Sequence, residues 1–175
     1  VSILALTVNH KRFPLIIAIL FIGYFITLEL GNGYAYDETN ILSIFDRSMV
    51  STAHLYNDNG IDPEGILSTI PSVGHVMIGF LAGKMIVGKN TETGKEPALD
   101  CKVMKMFALG TALLVCGFLL GYACPISKKI WTPTFAMVTC GFASLVLAMF
   151  IYIADIKGVK RWSRFFEAFG ANPLF

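Results

Sequence analysis

Charge is what this chain has least of. Asp, Glu, Lys and Arg make up 15% of its 175 residues, against about a quarter in soluble domains. With 55% hydrophobic residues and a mean hydropathy of +0.65, a water-soluble globule is excluded. A net charge of only +2 also argues against nucleic acid as a partner. The four cysteines, Cys101, Cys116, Cys124 and Cys140, show no zinc-like pairing. Three lie in or beside apolar blocks, where reduced Cys behaves as a small hydrophobe, so neither a metal site nor a disulfide framework is expected. An initiating Met is missing, Val1–Val8 is too short to cross a bilayer, and a further apolar segment starts over 165–175. These ends read as those of a fragment of a longer membrane protein.

What is present is bunched hydrophobicity. Four charge-poor blocks, about 13–30, 65–87, 103–123 and 131–154, are each long enough to span a hydrocarbon core of about 30 Å. The expected fold is an all-α, polytopic transmembrane helical bundle forming one domain over 1–175. A continuous helix from Gly65 to Val87 would rise about 34 Å. Asp62 before Pro63 suits its start, as a cap followed by a proline whose missing N–H costs nothing there. Gly79-x-x-x-Gly83 and Gly117-x-x-x-Gly121 allow close helix approach, within the chain or between copies as a homo-oligomer.

Between the first two spans lies the polar connection 31–64, with Asp37, Glu38, Asp46, Asp58, Asp62 and Glu64 against one cation, Arg47. Within it Ile41, Phe45, Met49, Ala53 and Tyr56 recur at near-helical spacing opposite Ser43, Arg47, Ser48 and Ser51. A short interfacial amphipathic helix is expected there, capped by Asn40. The stretches before span one, between spans two and three, and after span four are rich in Lys and Arg. The positive-inside rule makes them cytoplasmic and puts 31–64 on the outer side; Lys128 and Lys129 are outvoted.

Asp62, Glu64, His54, Asp46 and Arg47 are the one concentration of ionisable groups near a membrane surface. Carboxylates with a His suit orienting an amine or hydroxyl and taking its proton. The alternative is structural: Asp62 caps, Glu64 favours the positive helix start, and the others are solvated. His75 lies inside span two, where an ionisable group is by default a functional hypothesis; a neutral His bonded to a neighbouring helix is the equal alternative. Asn172 either binds a ligand or caps a following helix.

Several blocks resemble one family. Asp46-Arg47, His54-Leu55-Tyr56, Asp62-Pro-Glu-Gly-Ile-Leu-Ser-Thr-Ile70, Ala82-Gly-Lys84, Ser127-Lys-Lys-Ile-Trp131, Asp155-Ile-Lys-Gly158 and Gly170-x-Asn172 are similar, in order and spacing, to the C-terminal half of heparan-alpha-glucosaminide N-acetyltransferase-like membrane acyltransferases. The resemblance implies acetyl transfer from cytosolic acetyl-CoA to an amino sugar across the membrane, with no metal. It makes this chain a bacterial homologue in the inner membrane, acting on a cell-envelope amino sugar. The family's relay His belongs to an earlier stretch, so neither His54 nor His75 takes that role and the fragment alone is expected to be inactive. The substrate-binding set it implies is Asp62, Glu64, His54, Asp46, Arg47 and Asn172, with His75, Ser68, Thr69 and Ser72 lining a path between helices. A transporter or permease, using Glu64 and His75 for a proton or substrate path, is the first rival. A non-catalytic scaffold is the second.

Overall fold

The structure, a computed structural model, describes residues 7–50, 54–56, 60–88, 97–160, 166–167 and 170–171. Among these it is all-α, without a strand. A 3₁₀ turn at His10–Arg12, capped by the Asn9 side chain, leads into α1, Phe13–Leu30, with a proline in its first turn. Helix α2 is Ile41–Met49, α3 is Thr69–Val87 and α4 is Leu99–Leu120. Helix α5, Pro133–Ile151, runs on into a π-helical turn, Tyr152–Ile156. The four long helices, with their flanks, are apolar and long enough to cross a membrane, so the chain is a polytopic helical membrane protein.

The caps differ in origin. Asn40 caps α2 as expected, its side chain accepting from the Leu42 N–H at 2.8 Å. Asp62 does not cap α3, which begins at Thr69 rather than Gly65. The intervening residues form tight turns instead, with Thr69 N–H bonded to the Ile66 carbonyl and Ile70 N–H to that of Leu67. Helix α4 starts at Leu99, four residues before the expected 103, and ends at Leu120. Helix α2 stops at Met49 because Val50 turns extended (φ −124°, ψ 136°); of the anticipated continuation, Ala53 lies outside the described residues.

Helix α2 also turns a different face inward. Leu42, Ser43 and Asp46 are buried, whereas Ile44 and Met49 are exposed. Leu42 joins Tyr24, Leu28, Ile61 and Ile130 in an apolar cluster that seats α2 and its loops on one end of the bundle. The Tyr24 hydroxyl donates to the Ile130 carbonyl at 2.7 Å there. A second cluster, including Phe13, Phe21, Met77 and Ala136, joins α1, α3 and α5. A third, Ala82, Met106 and Ala148, closes the opposite end.

The closest helix pair is α4 against α5. A Cβ at Gly141 would lie 2.8 Å from the Gly110 carbonyl oxygen and 2.7 Å from the Leu114 nitrogen. Gly117 abuts Val138, whereas Gly79 and Gly83 face open space. The expected motif on α3 therefore makes no contact among the described residues. The closest backbone-to-backbone approach of the two helices falls on Gly110 and Gly141, outside either motif, since the spacing marks a permissive surface without saying which helix meets it.

At the end opposite α2, the Lys102 ammonium is buried and donates to the Ile86 carbonyl at 2.8 Å. It thus binds one of the carbonyls left open at the α3 C-terminus and is engaged inside the bundle. About 28 Å of helix separates it from Asp62 and Glu64, which precede α3. Replacing Lys102 by Met should lower stability by about 1–2 kcal/mol, read as an earlier transition on titrating detergent micelles with SDS. An unchanged midpoint would mean that the bond contributes nothing.

Candidate functional site

The loops gathered over α2 enclose a cavity of about 280 Å³ lined by Glu38, Ser43, Asp46, Arg47, Leu55, Tyr56, Gly60 and Asp62. Its wall is built by a carboxylate that bridges two elements. Asp46, on α2, is only 1% exposed, and its Oδ1 accepts from the Ile66 N–H at 2.9 Å. Asp46, twenty residues upstream, thus holds the turn that leads into α3, where Asp62 was expected to cap the helix and Glu64 to favour its positive start. Gly65 makes this approach possible, because a Cβ there would collide with the Asp46 carboxylate.

Asp62 shapes the neighbouring wall. Its Oδ1 accepts from Glu64 N–H at 2.9 Å and its Oδ2 from Tyr56 N–H at 3.1 Å, so both oxygens hold loop backbone. Arg47 pairs with Glu38 at 3.0 Å. With the Glu38 side chain 73% exposed, the pair is solvated and contributes little to stability, though it closes one side of the cavity. His54 and Glu64 are exposed and stand outside the lining. Asn172 lies outside the described residues.

Among the described residues, two buried polar atoms of side chains that line this cavity have no hydrogen-bond partner: Asp46 Oδ2 and Ser43 Oγ. Burial raises the Asp46 carboxyl above the ordinary carboxylate value, the Ile66 and Leu67 amides oppose it, and the nearby Asp62 charge adds to the rise. A carboxyl so placed is a better proton acceptor than a solvated one. Glu38, Asp46 and Asp62 against Arg47 make the cavity anionic, fit for a cationic or hydroxyl-bearing group.

The intramembrane candidates lie elsewhere. His75 is six residues into α3, about 9 Å along it, and packs against Trp131 and Phe135 with ring centroids 5.9 and 6.5 Å away. Its Nδ1 and the Trp131 Nε1 are buried without partners among the described residues. Trp131 itself has a positive φ of 48°, uncommon for so bulky a residue. Ser68 donates to the Gly65 carbonyl at 2.7 Å and Ser72 to that of Ser68 at 2.8 Å. Thr69 lies 3.4 Å from the Gly65 carbonyl. These hydroxyl protons are committed to the backbone of the α3 start. No group of three or more His, Cys, Asp or Glu suited to a metal occurs among the described residues.

Sequence reasoning missed Ser43, Glu38 and Gly65 as parts of the site. Ser43 and Asp46 are three apart on a helix and so share a face, which was legible; that this face turns inward was not.

These features define an integral membrane protein with a polar, anionic cavity at one end of its helical bundle. Over 157 residues, 87% of the chain, it is 26% identical to heparan-alpha-glucosaminide N-acetyltransferase of Mus musculus and 27% identical to that of Homo sapiens. It is a distant relative of these proteins and spans about a fifth of their length, 22% and 21%. No family profile and no solved structure matches it.

Proposed function

We propose that this chain is the acceptor-side part of an integral membrane acyltransferase. It moves an acetyl group from acetyl-CoA at the lysine-bearing, cytoplasmic end to the amine of an amino sugar or related cell-envelope acceptor at the α2 end. The observation that carries the reading is Asp46: a buried carboxylate that lines an anionic cavity and has one oxygen unpartnered among the described residues, in a distant relative of N-acetyltransferases. Asp46 holds the acceptor ammonium and takes its proton. The acyl carbon–sulfur bond breaks when the relay group takes the acyl unit, and the thiol leaves with that group's proton. The freed amine then forms the new C–N bond as the bond between acyl carbon and relay group breaks, and the amine's second proton returns to the relay group. The exposed His54 and Glu64, with Asn172, serve as further acceptor contacts. The group that relays the acyl unit belongs to another stretch of the whole protein, which resides in a bacterial inner membrane.

Membranes containing the complete protein should transfer label from acetyl-CoA to glucosamine. Full activity in an Asp46→Asn variant, or none in the wild type, would overturn the reading.

The pH dependence has a definite sign. Folding raises the Asp46 pKa, so the folded state binds the more protons between about 4 and that raised value. Stability without ligand is therefore present at low pH and falls as pH rises through the window. Amine binding needs the ionised carboxyl and runs the other way, failing as pH drops. SDS titrations at several pH values should show the stability slope in the wild type and a flatter one in Asp46→Asn. Identical slopes would sink the assignment.

A further inference from the structure

We infer that Ser43 is a specificity-determining residue, which reads a hydroxyl adjacent to the acceptor amine and so selects vicinal amino alcohols over simple amines. The inference rests on the acceptor reading of the cavity given above. Ser43 is 1% exposed, lines that cavity, and its Oγ has no partner among the described residues. Helical hydroxyls in this chain commonly turn back on their own backbone: Thr27 to Gly23 at 2.9 Å, Ser48 to Phe45 at 2.6 Å, Ser72 to Ser68 at 2.8 Å and Thr139 to Phe135 at 2.7 Å. That back-bond is the ordinary fate of a serine inside a helix, and Ser43 does not make it. Leaving a buried hydroxyl unbonded is unfavourable, so its place on the same helix face and the same cavity lining as a second unbonded atom points to a ligand that satisfies both.

Asp46 Oδ2 is that second atom, one helical turn along the same face of α2. The carboxylate accepts only; the serine both donates and accepts. A group that presents an ammonium to the first and a neighbouring hydroxyl to the second matches this order. An isolated amine fills one position and leaves the serine unbonded. Rejection of an analogue lacking the hydroxyl then follows from the orphaned Oγ.

The test is calorimetric titration of the full chain in detergent micelles with trans-2-aminocyclohexanol and with cyclohexylamine. Wild type should bind the amino alcohol about ten-fold more tightly. Ser43→Ala should erase that ratio and leave cyclohexylamine affinity unchanged, which also shows that the variant is folded. A ratio that survives in Ser43→Ala, or one near unity in the wild type, overturns the inference while the acceptor reading stands. Equal loss of both amines in the variant makes Ser43 a structural residue and overturns it too. If the wild type binds neither amine, the acceptor reading fails and the inference with it.

Discussion

Gly65→Ala should destabilise the α2 end of the protein by about 2–4 kcal/mol and abolish amine binding at the cavity. The added methyl would occupy the space of the Asp46 carboxylate. The backbone at 65 cannot withdraw easily, because its N–H is bonded to the Asp62 carbonyl and the next N–H to Asp46 itself. The Asp46 side chain must therefore swing away, which breaks the bond to Ile66 and leaves a buried N–H without a partner. A charge-assisted bond of this kind is worth about 1.5–3 kcal/mol, and crowding adds to it. The effect has a distinctive signature: in an Asp46→Ala background, the same methyl meets nothing charged and should cost far less. A double-mutant cycle followed by SDS titration should give a coupling of about 1–3 kcal/mol. Strictly additive losses would show that Gly65 and Asp46 act independently.

The second large effect is expected at the α4–α5 crossing. Gly141→Leu should destabilise by an amount at the upper end of the ~1–3 kcal/mol range for overpacking, and Gly110→Leu similarly. The first atom added at Gly141 already meets the Leu114 nitrogen at 2.7 Å and the Gly110 oxygen at 2.8 Å. Both are backbone atoms, so no rotamer change relieves the clash and the two helices must separate. Gly79→Ala is the control. With nothing within 4 Å of its Cβ, it should be neutral or stabilising, by up to the ~0.5–1 kcal/mol that Ala gains over Gly in a helix. SDS titration of the three variants checks the ordering. A Gly79→Ala loss as large as that of Gly141→Leu would mean that α3 uses its glycine face against something beyond the described residues.

How much was legible depends on the kind of signal. The spans could be read because hydrophobic runs of this length have one outcome in lipid: a helix that satisfies its own backbone. The Asn40 cap could be read because it is local, with donor and acceptor two residues apart. The start of α3 could not. It follows turns whose Ile66 N–H is held by a carboxylate from another element, and no feature of Asp62-Pro-Glu-Gly announces that its glycine stands against Asp46. The inward face of α2 escaped for a related reason. Its apolar stripe suggested one side, but seating Leu42 among Tyr24, Leu28, Ile61 and Ile130 turned the helix so that Ser43 and Asp46 were buried as well. Likewise Lys102, legible as one of the cations flanking a loop, is drawn inward by an open carbonyl at the end of another helix.

By itself the amino-acid sequence determined the environment, the helical class, the four spans and the two polar ends, because each follows from composition and from contacts a few residues long. Only the tertiary structure decided which carboxylate faces the cavity, which serine is left unbonded and which glycines let helices touch. Those outcomes depend on residues far apart in the chain competing for the same few ångströms, and no local pattern records which of them prevails.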